Sequence, residues 1–159
     1  MSQPDRDPDC AVCQLNAGEK PIPGGVIFTN DMWLLRHNPP PYGLAGWMML
    51  HTQRHVGGPA DFTDAEAAIF GPALRHFHHV LREVTGALRI YMAGFGESSP
   101  HVHLHMIPRY ATMPNDLVAW GVADLLRLTA SGEITIDPTD VGRITTAYRD
   151  ALAANPPPG

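Results

Sequence analysis

The segment Pro100-His101-Val102-His103-Leu104-His105-Met106-Ile107-Pro108-Arg109 sets three histidines in strict alternation with Val102, Leu104 and Met106. Period-two alternation is the pattern of a β-strand with one polar and one apolar face, so the three imidazoles are expected to share a face. Side chains two apart along a strand lie roughly 6.6 Å from each other, a spacing that lets them meet one phosphate or divide between a metal and a substrate. A neutral imidazole has a free lone pair at pH 7 and can attack phosphorus without a separate activating base. A second imidazole, protonated, can donate to a phosphate oxygen or a leaving group.

Outward from that segment, composition bounds the answer. The chain has 159 residues, 44% of them hydrophobic, and a formal net charge of −5. That is the profile of an ordinary globular protein, expected to form a single domain over 1–159 with a core that needs no disulfides. No apolar run approaches the length of a membrane span, so no membrane partner is expected. Met1 to Asp9 is polar and holds three aspartates, the opposite of a secretory leader, so cytoplasm is the expected location. Lys20 is the one lysine, and nowhere do basic residues gather into a footprint for a nucleic-acid polymer. Any nucleotide this chain meets is expected to be small.

Cys10-Ala11-Val12-Cys13 holds both cysteines of the chain. A redox pair of this spacing belongs between a strand and a helix of a βαβ unit, whereas this one follows a polar tail and precedes Gly18, Pro21, Pro23 and Gly24. That context suits half of a zinc site whose other ligands come from elsewhere in the chain, although two incidental thiols stay open as a reading. Val26 to Thr29 and Trp33 to Arg36 read as strands around an Asn30-Asp31 turn, and Gly46 to Leu50 reads as a buried central strand. Between them, Pro39-Pro40-Pro41 makes a stiff segment expected to form one wall of a cleft. His51 and His55 are four apart, but Gly57, Gly58 and Pro59 follow at once, which argues against a helix and for one metal ligand there, not two.

Thr63 and Glu66 make a capping box ahead of Phe70, Ala73, Leu74, Phe77, Leu81 and Val84, which recur at helical spacing up to Gly86, with Pro72 as a candidate kink. His76, His78 and His79 scatter around this helix and read as solvated or partly buried. Arg89 to Ala93 reads as a strand. The following Gly94-Phe95-Gly96-Glu97-Ser98-Ser99 loop is suited to bringing backbone donors and hydroxyls near phosphate oxygens. Leu117 to Leu128 is expected to hold a helix, Glu133 to Ile136 a short strand or extended linker, and Asp137-Pro138 to start a helix through Ile144, Tyr148 and Leu152.

His101-Val102-His103-Leu104-His105-Met106-Ile107 resembles the His-x-His-x-His-x-x signature of the histidine-triad (HIT) nucleotide hydrolases and transferases, and Pro108-Arg109 is common there too. The resemblance covers about residues 10–110 and leaves 111–153 as a helical extension. It implies an α+β fold, with an antiparallel sheet, a main helix packed on it, and C-terminal helices. It implies His103 as nucleophile and His105 as phosphate and leaving-group partner. Ser98 and Ser99 would then lie near the phosphate, and Asn38 near the ribose. The zinc-bearing members pair Cys-x-x-Cys with a histidine in an Arg-His stretch and the first triad histidine, which here are Cys10, Cys13, His55 and His101. Such a closed set holds a structural zinc and leaves chemistry to His103. The family also commonly forms a homodimer. Two departures stand out: Trp47 occupies a position where many members have histidine, and Thr52 one where many have proline.

The reading on these grounds is two-step nucleotidyl transfer at the α-phosphate of a small nucleotide, through a nucleotidyl-histidine. Dinucleoside polyphosphates and nucleoside phosphoramidates are among the implied substrates. Two alternatives stay open. One is a nucleotide-binding or sensing protein with little turnover, kept alive by Trp47; the other is a metalloenzyme in which all the histidines bind a catalytic metal.

Overall fold

The computed structural model describes residues 5–159, so the first four positions of the polar segment Met1 to Asp9 lie outside it. The chain first forms a short helix α1 (Ala11–Asn16). Strands β1 (Phe28–Thr29) and β2 (Trp33–His37) then make the expected hairpin. Its turn is closed by the Asn30 side chain, whose Oδ1 accepts from the amides of Met32 at 3.0 Å and Trp33 at 2.8 Å. Strand β3 (Met48–Thr52) is buried along its whole length. It begins two residues later than the expected Gly46, because Gly46 itself turns the chain at a φ of 88°.

Helix α2 (Asp64–Thr85) follows, then β4 (Arg89–Gly94) and β5 (His103–Arg109). The expected capping box is formed: Thr63 Oγ1 accepts from the Glu66 amide at 3.2 Å, and Glu66 Oε2 accepts from the Thr63 amide at 2.7 Å. Gly86, in the left-handed conformation at φ 68°, ends the helix. Pro72 is accommodated without interrupting it. The five strands run in the order β1-β2-β3-β5-β4 with every neighbouring pair antiparallel, which places β3 at the centre and leaves β4 as an edge. This is the α+β arrangement that the sequence led us to expect.

Strand register divides the chain's chemistry between the two sheet faces. Trp33, Leu35, Met48, Leu50 and Met106 face α2 and α4 (Pro138–Ala154), packing against Phe77, Leu81, Ile144, Tyr148 and Leu152. Full burial of each such side chain contributes about 1.5–3 kcal/mol, so this face holds the fold. The Tyr148 hydroxyl, buried among these residues, donates to the Phe77 carbonyl at 2.9 Å and joins the two helices. On the opposite face the register pairs Arg36 with Met49, Met49 with His105, and His51 with His103. The histidines are thus carried on the face that neither long helix covers.

The C-terminal part departs from the expected helix over Leu117 to Leu128. Two 3-10 turns (Asn115–Leu117 and Ala119–Ala123) lead into a shorter helix α3 (Asp124–Ala130). Glu133 to Ile136 forms no strand. Leu125, Leu117 and Val122 from this part pack with Trp47, Met49 and Ile107 on one end of the histidine face. Asp137 caps α4 as expected, its Oδ1 accepting from the Thr139 amide at 2.8 Å.

Candidate functional site

Cys10 is the N-cap of α1 and Cys13 lies in its first turn, so a single turn of helix brings both thiols to one side. His55, on the loop after β3, and His101, just ahead of the β5 ladder, meet them. The four ligand atoms lie within 4.8 Å of one another and all four residues are buried. Cys10 Sγ is 3.6 Å from His101 Nδ1, and Cys13 Sγ is 3.4 Å from both His101 Nδ1 and His55 Nδ1. Metal bonds of about 2.3 Å to sulfur and 2.0–2.1 Å to nitrogen, at tetrahedral angles, set S and N about 3.5–3.6 Å apart. The donor set therefore fits zinc in both chemistry and spacing, and four protein ligands leave no open position, which makes the site structural.

The surroundings of the cluster support the same assignment. His101 Nε2 donates to the Thr52 carbonyl at 2.8 Å, which fixes the tautomer that leaves Nδ1 for a metal. Burial pushes His101 down to about 4, so its imidazole is neutral and able to ligate at pH 7. Burial also raises the Cys13 thiol, partly offset by the Asp7 amide, whose nitrogen is 3.4 Å from the sulfur. A cation is what turns such a buried thiol into a stable thiolate. His51 is not part of this set. Its ring is fully buried, accepting from Arg36 Nε at 3.2 Å and donating through Nδ1 to Asn16 Oδ1 at 3.2 Å, so one histidine of the His51/His55 pair joins the cluster, as the loop context suggested.

Beyond the cluster the strand changes use. His103 Nδ1 donates to the His101 carbonyl at 2.7 Å, leaving Nε2 with its lone pair. His105 is held in the opposite sense: its Nδ1 accepts from the indole nitrogen of Trp47 at 3.0 Å, so its proton sits on Nε2. The rings of His103 and His105 are 5.9 Å apart, close to strand spacing. Burial pushes His105 down to about 4, helped by neighbouring His103 and Arg36, so at neutral pH it is an uncharged donor. The expectation of three imidazoles on one face thus describes His103 and His105. His101 precedes the ladder and turns its ring against His55, 5.1 Å centroid to centroid.

The other residues singled out from sequence are spread around this pair. Asn38 follows β2 and donates through Nδ2 to the Tyr42 carbonyl at 3.0 Å. The Ser99 hydroxyl is 3.5 Å from Cys10 Sγ, beside the metal cluster, and Ser98 is exposed on the loop. Three contributors went unrecognised in the sequence: the Trp47 N–H, the buried Arg36, and Asn16. Trp47 is positioned by Gly43, whose φ of 71° and missing side chain matter, since a Cβ there would lie 2.9 Å from the Trp47 ring. Arg36 is buried with no carboxylate partner among the described residues, and burial lowers it to about 10. It remains a cation on the histidine face.

No protein-family profile matches the sequence, and no curated protein sequence matches it. Solved structures do match. A HIT-like protein involved in cell-cycle regulation from Bartonella henselae superimposes with a TM-score of 0.65 at 16% identity, over 92% of this chain and 98% of that one. A zinc-bound histidine-triad family protein from Mycobacterium smegmatis gives 0.62 at 19% identity, over 92% and 94%. A hypothetical histidine triad nucleotide-binding protein from Sulfolobus tokodaii gives 0.65 at 11% identity, over 91% and 93%. With its five-stranded antiparallel sheet, His103 and His105 on β5 and the Cys10, Cys13, His55, His101 cluster at that strand's entrance, the chain has the histidine-triad fold.

Proposed function

We propose that the protein is a nucleotidyl hydrolase or transferase acting at the α-phosphate of a small nucleotide, with His103 as nucleophile. The observation that carries this reading is the 2.7 Å hydrogen bond from His103 Nδ1 to the His101 carbonyl. It commits the ring's proton to one nitrogen and the lone pair to the other. In the first step a bond forms between His103 Nε2 and phosphorus, and the bond to the leaving group breaks with its electron pair. The positive charge that develops on His103 is shared with the His101 carbonyl through Nδ1–H. In the second step water or another acceptor attacks phosphorus and His103 departs. His105 donates its Nε2–H to a phosphate oxygen as charge develops there, and Arg36 adds a fixed positive potential.

The same reading gives Ser98, Ser99 and Asn38 to the phosphate loop and ribose side, and zinc at Cys10, Cys13, His55 and His101 to the positioning of His101. Bound zinc supplies a rigid anchor there and takes no part in the chemistry. We further place the protein in the cytoplasm, with no membrane or nucleic-acid polymer as partner. Among the described residues no helix is long and apolar enough to cross a membrane. A homodimer through β4 suits an edge strand that exposes Met92. Sedimentation showing only monomer at micromolar concentration would remove that element.

The test of the central claim is to trap the intermediate. A slow dinucleoside polyphosphate or phosphoramidate substrate, quenched in the steady state, is expected to leave one nucleotidyl group on His103 by mass spectrometry. Saturable nucleotide binding with neither adduct nor turnover would select the binding or sensing protein instead.

A further inference from the structure

Between α2 and the edge strand β4 runs a groove with a cavity of about 680 Å³, within the size range of small-molecule pockets. It lies on the α2 side of the sheet, where register sets Met92 beside Met106 of the core and away from the histidine face. Arg75, His78, His79 and Arg82 form one wall, and Arg89 and Met92 the other. The spacing 75, 78, 79, 82 is a single stripe of a helix, about 10 Å long at 1.5 Å per residue. Elsewhere on α2 such a stripe carries apolar residues into the core; this one carries charge. Each of the other seven arginines of the chain reaches a carboxylate, a carbonyl or the His51 ring. Arg75, Arg82 and Arg89 have no such partner among the described residues, and all three line this groove.

His78 shows the same want of a partner. Its Nε2 is buried and meets no hydrogen-bonding atom. Burial holds the ring below the ordinary imidazole value, so it is neutral at pH 7 and has one N–H to donate. The nearest acid in sequence, Glu83, is engaged by His79 at 3.3 Å and does not line the groove. In a chain of net charge −5, three cations thus stand together with nothing to neutralise them. They stand over Leu74 and Ile90, whose apolar surface strengthens any ion pair made above it. A second copy does not supply the missing charge, because a two-fold contact over this groove sets the same arginines against one another. The length of the stripe calls for several negative charges in a row, and the guanidinium fork matches phosphate oxygens. Going beyond the function proposed above and independent of it, we infer that this groove binds a short chain of phosphates, inorganic or borne by a nucleoside. Arg75, Arg82 and Arg89 grip the chain, and His78 donates to it from below.

The test is calorimetric titration of the full-length protein with inorganic tripolyphosphate at about 0.15 M KCl, where loose surface attraction is screened. One tripolyphosphate per chain is expected to bind saturably and to shift the His78 side-chain ¹⁵N resonances. Arg75→Gln and Arg82→Gln, both at exposed positions that leave the core untouched, should each weaken binding by about tenfold or more. Arg127→Gln, which removes an exposed arginine already paired with Asp124 and Glu133, should change it by less than about twofold. ATP separates the two sources, counting only the affinity that Arg75→Gln removes. An ATP affinity about tenfold above that of tripolyphosphate assigns a nucleoside-borne chain, and an equal or lower one assigns the inorganic chain. Absence of saturable binding overturns the inference, and in protein that sediments as a dimer it gives the groove to a second copy. Equal losses in Arg127→Gln and Arg75→Gln also overturn it, since the anion is then held by general charge. So does tetraglutamate binding as tightly as tripolyphosphate, which gives the groove to an acidic peptide.

Discussion

His101, buried, and His105, half-buried, lie four residues apart on one stretch of chain, yet the structure uses them in opposite ways. His101 has both nitrogens committed, one to the Cys10/Cys13/His55 cluster and the other to the Thr52 carbonyl. His105 has only Nδ1 committed, to Trp47, and its second nitrogen is left for a ligand. Burial lowers both to about 4, so titration does not distinguish them. The partner of the second nitrogen decides whether an imidazole is scaffold or working group. A sequence motif that repeats one residue type three times carries no information about that partner.

This contrast can be tested from either end, and the largest effect belongs to the open one. His103→Ala is expected to lower turnover by more than a hundredfold, with zinc content and melting temperature at wild-type values; activity above about a hundredth of wild type contradicts the nucleophile assignment. Cys13→Ser attacks the closed end. It should empty the metal site and lower the melting temperature by about 10 °C, as expected for a loss of a few kcal/mol, with turnover falling only as far as His103 is misaligned. Metal analysis and calorimetry on the same sample check both halves, and a full metal complement in the variant would contradict the ligand set.

Smaller changes sharpen the comparison. Trp47→Phe keeps the ring and deletes the donor, which should release His105 into a mixture of tautomers visible in its ¹⁵N shifts. Turnover is expected to fall about tenfold, the usual worth of one hydrogen bond at a reacting group; unchanged shifts would show that Trp47 only fills space. Glu66→Gln is the mildest. Arg54, next to His55 in sequence, holds the Glu66 carboxylate with bonds of 2.9 and 2.6 Å and pulls it down to about 2. A depressed carboxylate stabilises the fold above its ordinary range and loses that contribution as pH falls toward 2. The variant should therefore be about 1 kcal/mol less stable at pH 7, with the gap closing below about pH 4.5 in denaturant titrations, and turnover should be unaffected.

What could be read in advance follows the range of the interactions. The β1–β2 turn, the capping box, the end of α2 at Gly86 and the alternation at His103 and His105 are local patterns, and all appear where the residues pointed. The metal set was legible because Cys-x-x-Cys is itself local and the resemblance supplied its distant partners. The Arg36–His51–Asn16 chain was not, since those contacts exist only once β2, β3 and α1 are placed side by side. Trp47 was marked as a departure from the pattern the sequence resembles, but that its N–H donates to His105 depends on strand register. The segment before α3 misled the helical reading because its apolar residues serve other ends: Trp120 and Val122 line a cavity, and Val122 also packs with Trp47 and Leu125.

The cluster also sets an order of events as the chain is made. Cys10 and His101 are 91 positions apart, and the ion that joins them has no complete cage until the later one leaves the ribosome. At a typical elongation rate that interval is roughly 5–20 s, during which the two thiols are joined by His55 about halfway through but still lack the fourth ligand. The hairpin of β1 and β2 and the helix α2 are composed within that window from nearby residues. Metal loading thus comes as a late checkpoint: it locks the N-terminal turn onto the histidine strand after most of the sheet's sequence is already available, and a chain truncated before His101 has no means of passing it.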